Sequence, residues 1–425
     1  MQNSYYKITL ISVVYFIFLV TILIVFGYTP TNDSSGYLEF ADICLKQGEA
    51  YPCTALIKGQ PFIWNIGIIN LISASLWIFH SYWPVLLLMC LMKALTAYFI
   101  GRIAALLTDN RTALIATIIF VCYPNNWGDV TMLMSEIPMV FLSLWGIYLI
   151  LSKKNIVWWI YGGLLLGIAN WFRPIAILFI ISLFAYSVFF LRKNIWVRMA
   201  SIMVGYLTFI LLVGTECKVR SGYFIYQAES FWFNMADECY DGSPVKPHYN
   251  MEMYAKGTPR YIENREQLTC FECNEIWKER SIEWLRNHPI EYLSKIPGRL
   301  FYMYMTDYDN IPAFLSEKNR PEENYITLPF QHLISEAAKL NVAQWIALIT
   351  TIFYYILLFS AIFGTVIMIK KRRYQSLFLP FFIVVFCSLS LVLAVHGETR
   401  FKIPFMPFII ISASMFYSNL KLKTE

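Results

Sequence analysis

Stretches of about twenty residues with few or no charges recur along this chain, and they constrain its fold more than any other feature. Residues 8–28, 85–107 and 377–395 are examples. A helix needs ~20 apolar residues to cross the ~30 Å hydrocarbon core of a bilayer. Only 15% of the 425 residues are charged, compared with ~25% in ordinary soluble domains. The sequence therefore predicts an all-α polytopic membrane protein.

The apolar runs predict about ten transmembrane helices. These spans, in chain order, are residues 8–28, 85–107, 110–124, 132–151, 156–172, 175–191, 199–214, 345–369, 377–395 and 403–420. Short cytoplasmic loops are enriched in Lys and Arg. If residues 62–80 do not cross, the short basic connections all fall on one side with the N-terminus. We therefore interpret residues 62–80 as a juxtamembrane or re-entrant helix, and the N-terminus as cytoplasmic.

The same topology divides the chain into three parts. Residues 1–214 form an N-terminal transmembrane module that includes a first outer loop, residues 29–84. Residues 215–343 read like a soluble segment with amphipathic helices and form a small, mainly helical outer domain. Residues 344–425 form a C-terminal transmembrane module. The net charge of +6 comes mostly from cytoplasmic clusters, so it indicates membrane orientation and no nucleic-acid partner.

Six of the nine cysteines fall in the predicted outer segments. An even number on an oxidising side suggests disulfides, and Cys44 with Cys53 would close a natural local loop. Six cysteines allow 15 connectivities, so no other pairing is predicted. Cys270 and Cys273 are spaced like half of a zinc site or a redox pair, but no second such pair completes them. A structural disulfide or free thiols are favoured for these two.

Acidic residues near the outer face are the first candidates for function, because charge at the edge of a membrane is costly. Asp33 lies five residues after the first span, where a helix N-cap is the alternative interpretation. Lys93 and Glu136 lie at similar predicted depths and could form a buried ion pair. Asp129 and Glu136 flank a short outer loop, and either could supply a second acidic group.

Several cations lie at the same predicted depth, although the positive-inside rule disfavours them there. They are Lys58, Arg173, Arg400 and Lys402. Side chains that anchor a helix at the interface are the alternative interpretation. Together with Asp33, however, the four cations suit a lipid phosphate, which arginine binds bidentately and lysine as a point charge.

Other chemistries leave no trace in the sequence. It contains no GxxxxGK[ST] loop, no GxGxxG after a strand, no HExxH and no GxSxG elbow. A nucleotide bound to this chain is therefore not predicted as an energy source. No compact set of His and carboxylate residues compels a metal ion, so no metal ligand is assigned, although a divalent cation is compatible with the predicted site.

Five short motifs occur in an order that resembles the GT-C superfamily of integral membrane glycosyltransferases, in the branch of protein O-mannosyltransferases and bacterial aminoarabinose transferases. Asp33, Tyr37 and Ala41 match a D-x-x-x-Y-x-x-x-A pattern after the first span. The further motifs are Lys58-Gly59-Gln60-Pro61-Phe62-Ile63-Trp64, Ser135-Glu136-Ile137-Pro138, a glycine-rich run from Gly162 to Pro174 that contains Arg173, and His396 to Pro404 with Pro407. His288-Pro289-Ile290-Glu291-Tyr292-Leu293 resembles a further His-Pro-x-x-Tyr-Leu step. Two departures are Ser34, where many members have a second acid, and a short outer domain.

The resemblance implies a membrane glycosyltransferase that uses a sugar on a polyprenyl phosphate. Asp33 would be the general base for an acceptor hydroxyl, with inversion at the anomeric carbon. Asp129 and Glu136 are the second acidic candidates. The predicted contacts of the lipid phosphate are Lys58, Arg173, Arg400 and Lys402, and those of the sugar or lipid are Tyr37, Gln60 and Trp64.

Two other classes stay open at this point. A transporter or flippase of a lipid-linked sugar would use the same cations without a base, and an oligosaccharide polymerase or ligase would also act on lipid-linked glycans. The sugar, and whether the acceptor is a glycan, a lipid or a protein, are not specified by the sequence. The compact size suits a bacterial inner membrane with the outer domain in the periplasm, while an endoplasmic reticulum membrane would give the same charge pattern.

Overall fold

The computed structural model describes residues 2–58, 60–243, 251–307, 315, 340–394 and 397–420. These residues are predominantly helical and form no β-strand, with one isolated antiparallel bridge between Lys58 and Thr269. The all-α polytopic architecture predicted from the sequence is confirmed. Gly59, His396, residues 316–339 of the predicted outer domain and residues 421–425 of the predicted C-terminal module lie outside the described part of the chain.

Helices α1 to α11 precede the outer domain. They are α1 Gln2–Phe26, α2 Asn32–Gln47, α3 Thr54–Ile57, α4 Ile66–Phe79, α5 Trp83–Leu107, α6 Asn110–Cys122, α7 Asn125–Gly128, α8 Glu136–Ser152, α9 Ile156–Phe172, α10 Ala176–Tyr186 and α11 Ile195–Ser221. The outer domain contributes α12 Phe231–Glu238, α13 Cys270–Asn287, α14 Pro289–Ser294 and α15 Ile296–Met305, and the C-terminal part contributes α16 Val342–Lys370, α17 Tyr374–Ala394 and α18 Met406–Asn419. The three-part division of the chain stays a prediction.

Six described helices are long and apolar enough to cross a bilayer. They are Ser4–Phe26, Trp83–Leu107, Ile195–Ser221, Val342–Lys370, Tyr374–Ala394 and Thr399–Asn419. A seventh span arises if Asn125–Thr131 and Glu136–Ser152, which are bent by 115°, are taken as one. Three shorter apolar helices, Asn110–Cys122, Ile156–Phe172 and Ala176–Leu191, coincide with the remaining predicted spans. The count of ten therefore stays a prediction.

Helix α4 occupies the run whose crossing was in doubt. It has 14 residues, Ile66–Phe79, and at ~1.5 Å per residue it is about 21 Å long, which is short of the ~30 Å hydrocarbon core. One face of α4 packs on α2 of the first outer loop. Its packing on α2 agrees with a juxtamembrane helix, whereas its length does not distinguish it from α6, which has 13 residues.

Glycines let α9 and α11 pack backbone to backbone. A Cβ atom on Gly163 would collide with the carbonyl of Ile202, and one on Gly205 would collide with the carbonyl of Ile160. Small residues at such positions allow close helix contact in membranes, where water provides no hydrophobic driving force. This contact fixes α9, whose outer end carries Arg173 as its C-cap.

Helix α2 begins with a capping box that leaves Asp33 out. Thr31 is the N-cap, its hydroxyl accepts from the Ser34 amide, and the Ser34 hydroxyl accepts from the Thr31 amide. The alternative interpretation of Asp33 as the N-cap is therefore wrong, because Thr31 is the N-cap and two hydroxyl side chains already satisfy the first amides. Asp33 lies in the first turn, where the helix dipole favours an anionic group, and its carboxylate is available to a partner from elsewhere in the chain.

The six cysteines of the predicted outer segments are all buried free thiols in this structure. Cys44 and Cys53 are in hydrogen-bond contact with each other, next to Tyr51. Burial raises the pKa of the Cys270 thiol to about 12, and it also raises the pKa of Cys273. The Cys44 and Cys53 pair is thus adjacent as expected, and its oxidation stays a prediction.

Candidate active site

The charged centre of the candidate site is formed by residues from the N-terminal and the C-terminal parts of the chain. Asp33 lies in the first turn of α2, and Arg400 lies on the 3-10 segment Thr399–Phe405 just before α18. The Arg400 guanidinium donates from Nη1 to Asp33 Oδ2 at 2.6 Å and from Nε to Glu398 Oε2 at 2.9 Å. Their side chains are 22% (Asp33) and 34% (Arg400) exposed. We call Asp33, Glu398 and Arg400 the open cluster.

A buried ion pair lies next to the open cluster. Glu136 is the first residue of α8, and its carboxylate accepts from the Arg173 guanidinium at the end of α9. Arg400 interacts electrostatically with Glu136 as well as with Asp33. Five charged groups from four separate stretches of the chain therefore form one connected set at the outer side, defined here as the side of the first loop.

A polar chain links this set to the aromatic residues of the first loop. The Asn65 amide donates to the Tyr37 hydroxyl at 3.0 Å and to the Ser135 hydroxyl at 3.1 Å, and Ser135 donates to Glu136 at 3.3 Å. Trp64 packs edge-on against Tyr37, with ring centroids 5.9 Å apart. Burial raises the pKa of Tyr37 above its usual value. Tyr37 is only 1% exposed, so it supports the site and presents no free face to a ligand.

A second group of charges lies deeper and is closed off from solvent. Lys93 pairs with Asp129, and the Lys402 ammonium lies 2.9 Å from Asp307 Oδ1. The other carboxylate oxygen of Asp307, Oδ2, accepts from the Tyr123 hydroxyl. Lys402 further donates to the carbonyl oxygens of Thr306 and Thr399 at 2.5 and 3.0 Å. We call Lys93, Asp129, Asp307 and Lys402 the sealed cluster. Three of its members, all but Lys402, line a small cavity of about 20 Å³ that Glu136 also lines.

Two expectations about pairing are corrected by these contacts. Lys93 was expected to meet Glu136, but it pairs with Asp129, because the chain folds back through α7 and a 3-10 turn between α6 and α8. Glu136 pairs with Arg173 instead. Lys402 was grouped with the phosphate-binding cations, yet it is fully buried with three protein oxygens around its ammonium group. It therefore has no free donor directed at the open cluster.

The remaining predicted residues, Lys58, Gln60 and Trp64, lie in the first outer loop. Lys58 is exposed at the end of α3, where its backbone bridges Thr269 of the outer domain. Gln60 is half-buried, and Trp64 donates its backbone amide to the Tyr51 hydroxyl at 2.8 Å. The structure brings Asp33, Arg173, Arg400 and Glu136 together, whereas Asp129 and Lys402 belong to the sealed cluster.

Several residues of the site were missed by the sequence analysis. Glu398 is part of the quoted C-terminal motif and was not singled out, and Asn65, the N-cap residue of α4, was given no role. Asp307 follows α15 and has no recognisable signal around it. Glu229 donates its amide to the Ile63 carbonyl at 3.1 Å, beside Trp64, and burial raises the pKa of its carboxyl group to about 7.

Known proteins resemble the chain in sequence over one region and in fold over nearly all of it. The sequence model of the family described as dolichyl-phosphate-mannose-protein mannosyltransferase matches residues 65–215. The apo crystal structure of the Archaeoglobus fulgidus oligosaccharyltransferase is 12% identical with a TM-score of 0.50, and the alignment covers 96% of this chain and 50% of that one. The same protein tethered to an acceptor peptide with the NVT sequon is 14% identical with a TM-score of 0.50, over 97% of this chain and 49% of that one. Among curated proteins, no sequence matches.

These findings support the class that the ordered motifs predicted. At such low identity the solved structures show a shared fold, and this chain spans about half their length. The family model matches α4 to most of α11. Together, the shared fold and the family match support the resemblance to the GT-C integral membrane glycosyltransferases.

Proposed function

We propose that this chain transfers a sugar from a polyprenyl-phosphate donor to an acceptor hydroxyl on the outer side of the membrane, with Asp33 as the general base. The observation that carries the proposal is the partly exposed contact between Asp33 and Arg400, residues 367 positions apart in the sequence. It joins a carboxylate that can accept a proton to a guanidinium that suits a phosphate.

The proposed reaction is a single displacement at the anomeric carbon. The acceptor oxygen forms a bond to that carbon from the face opposite the phosphate, and the bond between the carbon and the phosphate oxygen breaks. The bonding electrons leave with the polyprenyl phosphate, and the acceptor proton passes to Asp33. Attack from the opposite face inverts the anomeric configuration. Positive groups that contact the phosphate stabilise the negative charge that develops there.

Arg400 is suited to contact that phosphate because its present partners are exchangeable. Both carboxylates that it contacts are partly exposed, so a ligand can reach the guanidinium, and a phosphate offers it the same bidentate geometry as a carboxylate. A bound phosphate would compete for the guanidinium, and Asp33 would then lose part of the contact that holds its charge. Arg173 is adjacent to the open cluster, but its guanidinium forms an ion pair with the buried Glu136. It therefore supplies positive charge from a fixed position.

The other predicted residues take supporting roles in this proposal. Trp64 and Gln60 belong to the first outer loop, and Trp64 packs against Tyr37. We assign both to the place where a sugar or lipid would enter. Tyr37 is buried and positions Asn65 and Trp64. Lys58 serves as a cation at the rim. Glu136 is the better second acid, because it interacts with Arg400 whereas Asp129 lies in the sealed cluster.

The donor class and the location belong to the same proposal. The matched family is named for a dolichyl-phosphate sugar and a protein acceptor, which supports a lipid-phosphate donor here. Basic connections on the side opposite the first loop support a cytoplasmic N-terminus. We place the chain in a bacterial inner membrane with the outer domain in the periplasm.

Transfer of radiolabel from a panel of polyprenyl-phosphate sugars into a membrane extract tests the proposal. The purified Asp33→Asn variant should transfer ~10²–10⁴-fold more slowly than the wild type. Asp42→Asn is the matched control, because Asp42 lies on the same helix in an exposed pair with Lys46 at 2.5 Å, and it should retain transfer.

Two outcomes would count against the enzyme. Full transfer by Asp33→Asn would show that Asp33 is not the general base. Donor binding without transfer, by the wild type and both variants, would favour a transporter of the lipid-linked sugar. A product lengthened by several sugar units would instead favour a polymerase. Equal elution profiles and thermal midpoints for the wild type and both variants would show that a loss of transfer does not reflect unfolding.

A further inference from the structure

Three side chains of the outer domain converge at a place that is separate from the open cluster. Asp241 follows α12, His288 lies between α13 and α14, and Glu291 is in the first turn of α14. One ligand atom from each lies within 4.8 Å of the others, and His288 Nε2 is 3.7 Å from Asp241 Oδ1. An imidazole and two carboxylates are groups that bind divalent metal ions.

The imidazole of His288 is held in the tautomer that a metal ion requires. Its Nδ1 atom lies 3.1 Å from the Trp284 carbonyl oxygen, so Nδ1 carries the proton and donates it. The lone pair is then on Nε2, the atom that faces Asp241. The ring also stacks on Trp284, with centroids 4.7 Å apart. A backbone carbonyl on the second nitrogen is the usual support of a metal-bound histidine.

The two carboxylates are also oriented by neighbouring groups. Asp241 Oδ1 accepts from the Trp284 indole nitrogen at 2.9 Å. Glu291 Oε1 lies 3.2 Å from the Lys295 ammonium, which donates to Ser243 at 2.6 Å. A carboxylate oxygen has more than one lone pair, so each of these oxygens can accept its hydrogen bond and still bind an ion. Trp284 is itself fixed by packing against the buried side chains of Met235, Cys239 and Tyr292.

We propose that Asp241, His288 and Glu291 bind a divalent transition-metal ion of the zinc class. Ligand bonds of ~2.0–2.2 Å in a tetrahedron place ligand atoms about 3.4 Å apart. His288 Nε2 and Asp241 Oδ1 are 3.7 Å apart, and all three ligand atoms lie within 4.8 Å of one another, so the side chains have to move by about 1.4 Å at most to reach this geometry. Imidazole favours zinc over magnesium and calcium, which prefer oxygen ligands alone. Three protein ligands leave the fourth position to water.

The site is accessible and would have a structural effect. Asp241 is exposed, and His288 with Trp284 lines an open groove of about 570 Å³, so an ion can enter from solvent. Binding would join the end of α12 to the junction of α13 and α14, which the hydrophobic contacts of Trp284 already hold together. None of these residues belongs to the open cluster, so the site does not depend on the proposed transfer reaction.

Titration of the metal-stripped, full-length protein in detergent with Co²⁺ tests the proposal. The wild type should bind Co²⁺ with saturation and a change in visible absorption, and Zn²⁺ should displace it. Asp241→Asn, His288→Gln and Glu291→Gln should each weaken binding at least ~10-fold. Glu283→Gln is the control, because Glu283 is an exposed carboxylate on the same groove, and it should bind as the wild type does.

Thermal unfolding provides the second readout. Zn²⁺ should raise the thermal midpoint of the wild type, because an ion that binds only the folded state stabilises it, and it should not raise that of His288→Gln. Asp241→Asn alters an exposed side chain, so it keeps the test valid if His288→Gln folds poorly. Binding that persists in all three variants, or that is lost in Cys270→Ser with Cys273→Ser, would overturn the proposal.

Discussion

The open and the sealed clusters contain the same kinds of residue in opposite surroundings. In the open cluster the Asp33 and Arg400 side chains are 22% and 34% exposed, whereas in the sealed cluster the Lys402 and Asp307 side chains are 0% and 3% exposed. Removal of charges from water costs several kcal/mol per ion, and only close partners compensate for it. Partial exposure lets a ligand reach the Arg400 guanidinium and compete with its carboxylate partners. The difference in burial therefore means that the open cluster can exchange its partners for a ligand, whereas the sealed cluster cannot.

The sealed cluster has a different task, which its partners define. Lys402 connects the 3-10 segment before α18 to Thr306 and Asp307, just after α15. Tyr123, after α6, donates to the same aspartate. These contacts join the outer domain to the membrane helices directly beneath the open cluster. We infer that the sealed cluster fixes the position of the segment that carries Arg400.

Loss of one sealed charge should have the largest effect on stability. Lys402→Met leaves Asp307 buried without its cation, and the free energy of unfolding should fall by ~3–5 kcal/mol. The thermal midpoint in detergent measures this loss. Lys46→Met is the matched control, because Lys46 forms an exposed pair with Asp42, and such a pair contributes about 0.5 kcal/mol or less.

A compensating variant sharpens that prediction. Lys402→Met combined with Asp307→Leu removes both charges, so part of the lost stability should return. Recovery should be incomplete, because the Tyr123 hydroxyl and two carbonyl oxygens also lose a partner. An unchanged midpoint in Lys402→Met would show that the two clusters do not differ as described.

The sequence predicted the membership of the open cluster better than that of the sealed one. Asp33 and Arg400 lie in motifs at the two ends of the chain, and their common predicted depth was enough to suggest a shared site. Lys402 is only two residues beyond Arg400 and was given the same role. A hydropathy pattern gives the depth of a residue in the membrane but not the direction of its side chain. On the short 3-10 segment the two side chains reach different surroundings.

Pairing between distant residues was the other feature that the sequence could not supply. Lys93 and Glu136 were matched by depth alone, but the turn of α7 places Asp129 against Lys93. The metal-ligand set of the outer domain was missed for a similar reason. Asp241 is separated from His288 by 47 positions, and only the fold of α12 against α13 brings them together.

Loss of the guanidinium from the open cluster should affect transfer more than stability. Arg400→Gln should slow sugar transfer by ~10²–10³-fold, the effect of removing one donor to a developing negative charge. Arg400→Lys should retain part of the rate, because it keeps the charge and loses the bidentate geometry. Initial rates with saturating donor measure both.

The control for this variant is Arg286→Gln, an exposed arginine on α13. It should transfer at the wild-type rate. A thermal midpoint of Arg400→Gln as low as that of Lys402→Met would mean that Arg400 is as structural as Lys402. In that case the distinction between the two clusters would fail.

The smallest expected effect is a pH dependence of stability caused by Glu229, a carboxyl group that belongs to neither the open nor the sealed cluster. Burial raises its pKa from 4.5 to about 7, so the folded state holds a proton that the unfolded chain releases. Stability should fall as the pH rises from 4.5 to about 7, by on the order of 1 kcal/mol. Glu229→Gln should lose this dependence in thermal unfolding across that interval.

The pKa of Glu49 is shifted in the opposite direction to that of Glu229, so the two residues together make this last prediction specific. The Thr54 amide donates to its carboxylate at 2.8 Å and lowers its pKa below 4.5. Its contribution is therefore present above that pH and is lost as the pH falls through the lowered pKa. Glu49→Gln should flatten only the acid limb of the stability profile, and Glu229→Gln only the limb between pH 4.5 and about 7. If both variants flatten the same limb, burial is not the cause of the Glu229 shift.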